Sequence, residues 1–183
     1  MEIKVKGTAA YATPEFVRHH FPDRYDEWFA MLSPQCREIM EGALAYNWYP
    51  VYEALVEPTE KVAQLFYDGD TKCAWEMGRF SAEYALTGIY KFFVKIGSPG
   101  FILSRASQIF STYYDQGEMK IVERSGRNAV AQMTQSESHP IMELRVGGWI
   151  ERALEIGGSR EVTVEISQAV SQGDPVTEFR VAW

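Results

Sequence analysis

The stretch REVTVEISQAVSQGDPVTEFRVAW, residues 160–183, contains two runs in which apolar residues occupy every second position. Alternation of this kind places apolar side chains on one face of a β-strand. These side chains are Val162, Val164 and Ile166 in the first run and Phe179, Val181 and Trp183 in the second. Between the runs, Gly173, Asp174 and Pro175 supply turn chemistry. The pattern predicts an antiparallel hairpin at the end of the chain.

A helix is predicted immediately before this hairpin. Ser138 and Pro140 mark its start, and a pair of glycines ends it at 157–158. One ridge of the helix carries Met142, Val146, Trp149 and Ala153. A second glycine pair, at 147–148, lies inside the helix, where each glycine costs about 1 kcal/mol relative to alanine. We interpret this pair as a site of close packing, with close approach of a ligand as the alternative.

Further alternation predicts three more strands. The segments EMKIVERS (118–125) and NAVAQMTQ (128–135) read as a hairpin joined at Gly126. Near the start of the chain, EIKVKG (2–7) alternates apolar and lysine residues, which is typical of a strand with one solvated face. We expect this strand to join a sheet.

The strongest helical pattern runs from Lys72 to Ile96. Its apolar residues include Cys73, Met77, Phe80, Tyr84, Ile89, Phe92 and Phe93. Because they cover more than one side, the helix is expected to be central and covered by neighbours. Gly97 ends the pattern, Ser98 is a capping residue, and Pro99 fits the first turn of the next helix.

That next segment, SPGFILSRASQIFSTYY (98–114), is predicted to be one helix. Its buried ridge consists of Ile102, Ala106, Ile109, Phe110 and Tyr113. Arg105 lies on the adjacent ridge, where its planar guanidinium could bind a ligand carboxylate or phosphate. The structural alternative, an arginine stem on apolar surface with its head paired to a carboxylate, is the commoner arrangement.

Prolines divide the first seventy residues into short helices. Pro14, Pro22 and Pro34 each stand just inside a plausible helix start. After Pro58, Thr59 is a credible cap for the following helix. The segment DRYDEWFAML (23–32) carries an apolar stripe of Tyr25, Trp28, Phe29 and Leu32, which must pack against a core.

Composition excludes several classes of protein. With 183 residues, the chain is expected to form a single domain over 1–183. A net charge of −7 without a basic stripe argues against nucleic acid as a partner. Neither a secretory signal nor an apolar span long enough for a membrane is present, so we expect a cytoplasmic protein. Cys36 and Cys73 are far apart and are expected to be reduced and buried.

The polar candidates do not form a catalytic or metal signature. His19 and His20 are adjacent, so their side chains diverge on a helix and cannot easily bind one ion. His139 fits a helix entry better than an acid–base pair. Structural ion pairs are expected between Glu83, Asp115, Glu143 or Glu151 and Arg79, Arg105, Arg145 or Arg152. No catalytic residue is assigned.

The order of these elements resembles the four-vinyl-reductase-type superfamily. The resemblance is carried by KIGSPGFILSRASQIFSTYYDQGEMKIVE (95–123), RVGGWIERALEIGG (145–158), VTVEIS (162–167), GDP (173–175) and TEFRVAW (177–183). That superfamily includes vinyl-reductase-related domains, sensor domains of aromatic-compound regulators, subunits of vesicle-tethering particles and, more distantly, haem nitric-oxide-binding domains. The closing strand with its final tryptophan also resembles uncharacterised myxobacterial proteins of similar length.

The resemblance implies an α+β domain with a helical layer on a small antiparallel sheet, often dimeric through its helices. It also implies an apolar cavity between helices and sheet. Some members bind zinc through cysteines near the final hairpin, but residues 166–179 contain none. The haem-binding branch typically shows a proximal histidine and a Tyr-x-Ser-x-Arg motif, neither of which occurs in a suitable place. We therefore expect no metal and no cofactor.

Three functions remain open at this point. The first is a non-enzymatic ligand-binding or sensory domain for a hydrophobic small molecule. Its expected ligand-binding residues are Trp48, Tyr52, Phe80, Tyr84, Arg105, Phe110, Tyr113 and Trp149. The second is a homodimeric scaffold or protein-interaction module with a filled core. The third, an enzyme acting on a tetrapyrrole or similar lipophilic compound, is disfavoured because no catalytic constellation is apparent.

Overall fold

Helices make up most of the first part of the chain, and a four-stranded sheet is built from its last part. The computed structural model describes residues 2–87 and 99–183. The strands are β1 Lys4–Lys6, β2 Trp48–Pro50, β3 Glu118–Ser125, β4 Asn128–Thr134, β5 Thr163–Gln168 and β6 Thr177–Ala182. The helices are α1 Gly7–Ala10, α2 Ala12–His20, α3 Tyr25–Ala30, α4 Pro34–Gly42, α5 Glu57–Phe66, α6 Cys73–Thr87, α7 Pro99–Ser104, α8 Ala106–Tyr113 and α9 Pro140–Ile156. The α+β class is confirmed.

The C-terminal hairpin forms as its alternation predicts. β5 and β6 are antiparallel, with Val164 opposite Val181 and Ile166 opposite Phe179. Gly173 adopts a φ of 97° in the connection, a left-handed conformation that glycine accepts without steric cost. The last residue is also held, because the backbone N–H of Trp183 donates to the carbonyl of Arg127 at 3.0 Å.

The main sheet has the order β3-β4-β6-β5, and every neighbouring pair is antiparallel. The predicted hairpin around Gly126 is therefore confirmed. One face of the sheet is buried with α9 in a single apolar cluster that includes Met119, Ala131, Met133, Leu154, Phe179 and Val181. β1 joins β2 in a separate two-stranded sheet, as the alternation at residues 2–7 predicts.

A second apolar cluster fills the N-terminal helices. It includes Phe16, Trp28, Leu55, Val62 and Met77. Trp28 of the predicted α3 stripe is fully buried, and its indole N–H donates to the carbonyl of Pro58 at 3.1 Å. Both cysteines are free and buried here, and burial raises the thiol pKa of Cys36 to about 12 and that of Cys73 to about 11. The expectation of reduced, interior cysteines is confirmed.

Helices α6 and α9 pack with their backbones in close contact. A methyl group on Gly148 would overlap the carbonyl of Trp75, and one on Gly78 would overlap the carbonyl of Arg145. Gly147 faces the ring of Trp75 at similarly short range. The close-packing interpretation of the glycine pair is therefore confirmed, and its partner is α6.

The prediction of one continuous helix over residues 98–114 is wrong. The structure has two short helices, α7 and α8, that meet at Arg105, whose φ and ψ are −104° and 6°. Just before the break, the Ser104 hydroxyl donates to the carbonyl of Phe101 at 2.7 Å. Serine side chains compete with helical backbone bonds in this way, which explains the interruption. Gly97, Ser98 and the end of the predicted long helix at 88–96 lie outside the described residues.

Helix starts were predicted correctly at some positions only. Ser33 caps α4, since its hydroxyl accepts a bond from the backbone N–H of Cys36 at 3.2 Å. Thr59 is not a cap, because a π-helix over Tyr52–Val56 runs directly into α5 and places Thr59 within the helix. The cap of α9 is His139 and not Ser138, because the His139 ring nitrogen accepts from the backbone N–H of Ile141.

We predict that Gly148→Ala destabilises the fold by about 2 kcal/mol, because the added methyl group forces α6 and α9 apart. Gly42→Ala is the matched control, since this helical glycine has open space around it. Urea unfolding of both variants measures the difference. Equal stabilities of the two variants would contradict the close packing described for α6 and α9.

Candidate functional site

A cavity of about 90 Å³, here called the junction cavity, lies between the two apolar clusters. Its wall includes Ala9 and Leu55 from the N-terminal helices. The remaining wall comes from α6 to α9, β3 and β4 and includes Gly78, Ile102, Phe110, Tyr113, Met119, Ala131, Val146, Trp149 and Leu154. The cavity is therefore apolar and touches both parts of the molecule.

Among the described residues of the wall, Arg145 is the one with a charged side chain. It extends from α9, and its Nη1 donates to the hydroxyls of Thr13 in α2 and Thr59 in α5, at 3.0 Å each. Only 5% of Arg145 is exposed, and burial lowers the pKa of its guanidinium to about 10. The group stays charged at neutral pH, and it links the C-terminal helix to two N-terminal helices.

Tyr114 lies beside Arg145 in the same wall. Burial raises the pKa of its phenol to about 12, and the positive charge of Arg145 opposes that rise. Its ring stacks on Phe110 with the centroids 4.7 Å apart. At neutral pH the Tyr114 hydroxyl is therefore a protonated, neutral hydrogen-bond donor next to a cation.

A smaller cavity of about 60 Å³, here called the outer cavity, shares part of this wall. Ile109, Tyr113 and Trp149 line both cavities and form the partition between them. The other residues of the outer cavity are Leu86, Arg105, Gln108 and Thr112. The Tyr113 and Trp149 rings meet at 63° with centroids 6.1 Å apart.

The structure brings together only some of the predicted ligand-binding residues. Phe110, Tyr113 and Trp149 line the junction cavity, and Arg105 lines the outer cavity. The other four residues lie elsewhere: Trp48, Tyr52 and Tyr84 are exposed, and Phe80 packs edge-on against Phe16. None of these four residues lines the junction cavity or the outer cavity.

Arg105 is exposed and forms no ion pair among the described residues. Its Nη1 donates to the Gln108 side chain at 2.9 Å, and its guanidinium lies 5.2 Å from the centre of the Phe101 ring. Both partners are one turn away on its own stretch of chain. The carboxylate partner considered for Arg105 is therefore not found among the described residues.

Sequence reasoning missed Arg145 as a cavity residue. The signal was its position, four residues after the buried Ile141 and four residues before Trp149, on one face of α9. An arginine at an apolar helical position is either paired with a carboxylate or placed against a polar cavity group. Its expected ion pair does not form, because its partners are threonine hydroxyls.

The other expected ion pairs form in part. Arg79 of α6 binds Glu151 and Glu155 of α9, and Arg152 reaches Glu83 of α6. Two carboxylates differ from expectation. Glu143 is buried and accepts hydrogen bonds from Ser171 and Thr177, and Asp115 accepts one from the backbone N–H of Lys4 at 2.7 Å.

The histidines lie away from the junction cavity. His19 and His20 end α2 with ring centroids 4.8 Å apart, and burial lowers the pKa of His20. His139 is the cap of α9. Within residues 2–87 and 99–183, no cluster of three or more histidine, cysteine or acidic side chains is arranged to hold a metal ion. Over the same residues, no helix has the length and apolar character that a membrane crossing requires.

Comparison with known proteins identifies the fold. No protein-family model and no curated protein matches the sequence. An H-NOX protein from S. oneidensis, solved in the Fe(II)NO ligation state, matches with a TM-score of 0.76 at 10% identity over 96% of this chain and 97% of that chain. The chain has the H-NOX fold. Unliganded Fe(II) H-NOX from K. algicida matches with a TM-score of 0.70 at 10% identity, covering 97% and 95% of the two chains.

A third H-NOX structure, from work on haem distortion in that family, gives a TM-score of 0.72 at 13% identity over 97% of this chain and 94% of its own. The resemblance to the haem nitric-oxide-binding branch is therefore confirmed at the level of fold. The four-vinyl-reductase-type part of the resemblance stays a prediction.

The junction cavity does not fit a haem group. Its volume is about 90 Å³, whereas pockets that bind drug-sized ligands have volumes of roughly 300–1,000 Å³. A porphyrin is larger than most such ligands. Haem iron is usually held by histidine or cysteine. All three histidines and both cysteines belong to the described residues, and none of them lines the cavity. Among the described residues, the junction cavity is therefore too small for haem and offers no histidine or cysteine to its iron.

We predict that Thr59→Val destabilises the protein by about 1–3 kcal/mol, because it removes an acceptor from the buried guanidinium of Arg145. Thr112→Val is the matched control. Both threonine hydroxyls donate to the carbonyl four residues earlier in a helix, and only Thr59 also binds Arg145. If chemical denaturation shows equal losses for the two variants, Arg145 does not depend on Thr59.

Proposed function

We propose that this chain is a haem-free, non-enzymatic sensory domain of the H-NOX fold that binds a small apolar molecule in the junction cavity. The observation that carries this proposal is the apolar void between the two clusters. Apolar cavities of about 150 Å³ stay dry and bind benzene or xenon. A cavity of about 90 Å³ is of the same order and is therefore suited to a small apolar guest.

The position of the cavity supports a sensory role. A guest would touch Ala9 and Leu55 on one side and Phe110 and Trp149 on the other. Its binding free energy would therefore depend on how the N-terminal helices sit against α8 and α9. A ligand shifts a conformational equilibrium only by such differential contacts. The H-NOX neighbours are solved with Fe(II) either bound to NO or unliganded, and this binding of a small ligand by proteins of the same fold supports the proposal.

We predict that cyclopentane, a neutral apolar probe, raises the thermal unfolding midpoint of the protein and changes its tryptophan fluorescence, since Trp149 is in the wall. Ala106→Leu fills the cavity from α8 and should remove both effects. Ala85→Leu, a half-buried helical position outside the wall, should keep them. If cyclopentane affects the wild type and Ala106→Leu equally, it binds elsewhere and this function is wrong.

Homodimerisation is the second candidate, and one surface favours it. Large apolar side chains are exposed around β2, namely Leu44, Tyr46, Trp48 and Tyr52. Exposed apolar patches of this kind are typical of protein interfaces. If the protein dimerises through this face, sedimentation velocity should show a dimer for the wild type and a monomer for Tyr46→Ser. A monomeric wild type would contradict it.

A further inference from the structure

Arg145 is a buried cation without a carboxylate partner. None of the ion pairs formed by the described residues includes it. Residues 88–98, GIYKFFVKIGS, contain no aspartate or glutamate. Every acidic side chain of the chain therefore belongs to the described residues, and none neutralises Arg145. Burial of an unpaired charge carries a desolvation penalty, and an arginine cannot avoid that penalty by losing its proton near neutral pH.

The hydrogen-bonding capacity of Arg145 is only partly used. A guanidinium has five N–H donors. Both hydrogen bonds to described residues come from Nη1, which binds the hydroxyls of Thr13 and Thr59. No described residue accepts a hydrogen bond from Nε or Nη2. The two threonines therefore hold Nη1 of the guanidinium in place. The N–H groups of Nε and Nη2 are left for another acceptor, and Arg145 lines the junction cavity.

Tyr114 adds a second donor to the same wall. Its hydroxyl makes no hydrogen bond to a described residue, and it lies close enough to Arg145 for each to influence the ionisation of the other. The phenol stays protonated at neutral pH because it is buried. A carboxylate is the acceptor that matches a planar guanidinium, and it has further lone pairs for a phenolic O–H.

We propose that the junction cavity binds a short-chain monocarboxylate, with its carboxylate on Arg145 and Tyr114 and its hydrocarbon tail against Phe110 and Val146. This inference rests on the proposed function and names the class of its ligand. The cavity of about 90 Å³ is small, so only a short hydrocarbon tail fits beside the carboxylate. The apolar remainder of the wall favours such a tail over a hydrated inorganic anion.

Charge-matched probes test the proposal on the unmodified protein. Butyrate, butyramide and butylammonium share a chain and differ in charge. Calorimetric titration at neutral pH should show butyrate binding at least tenfold more tightly than butyramide, with no binding of butylammonium. Equal affinities of butyrate and butyramide would overturn the proposal. Chloride or acetate binding as tightly as butyrate would also overturn it, because the tail would then contribute nothing.

The failure of this inference is distinguishable from failure of the proposed function. If cyclopentane binds in the junction cavity and butyrate does not, the apolar site stands and the carboxylate assignment falls. If neither compound binds, both fall. If butyrate binds with the expected preference, the ligand class is supported.

Variants of Arg145 locate the effect. Arg145→Lys keeps the charge but loses the planar fork, and Arg145→Gln loses the charge. Both should weaken butyrate binding at least tenfold while cyclopentane still binds. Arg180→Gln, which removes an exposed arginine on β6, is the control and should leave butyrate affinity unchanged. Unaltered butyrate affinity in a folded Arg145→Gln protein would overturn the assignment, and the comparison of probes on the wild type decides the case if that variant does not fold.

Discussion

The contact between α6 and α9 is the constraint on which the rest of the structure depends. Gly78 and Gly148 let the two backbones approach to a distance that no larger residue permits, and Gly147 leaves room for the ring of Trp75. This contact fixes α9 between the sheet and the N-terminal helices. The Arg79 ion pairs with Glu151 and Glu155 follow the same interface at the surface. Partly exposed pairs of this kind contribute little stability, so steric fit sets the arrangement.

The position of α9 in turn determines the site. Arg145 and Trp149 are one turn apart on the helix and both line the junction cavity. Arg145 reaches across to Thr13 and Thr59, so the cavity forms where the two apolar clusters meet. A fold shared with haem-containing proteins therefore encloses, in this chain, a small apolar space with a cationic group. The space is too small for haem, and the residue types around it suit a small organic guest.

The fold could be predicted from sequence where short-range patterns decide the structure. Alternation of apolar residues predicted both hairpins, less strictly for the one around Gly126, and the glycine pair at 147–148 marked the close contact of α9. The site could be predicted only in part. Phe110 and Trp149 follow from helical spacing, but Trp48 and Tyr84 have the same apolar character and face outward. Which aromatic side chains share a cavity depends on how helices cross, and spacing along one helix does not contain that information.

The central claim is that a real apolar void lies at this crossing. A crystal structure of the protein under xenon pressure tests it most directly, since xenon enters dry apolar cavities and scatters strongly. We expect one xenon site bounded by Phe110, Val146 and Trp149, with Arg145 still hydrogen-bonded to Thr13. A crystal structure in which side chains fill this space and xenon is absent from the interior would contradict it.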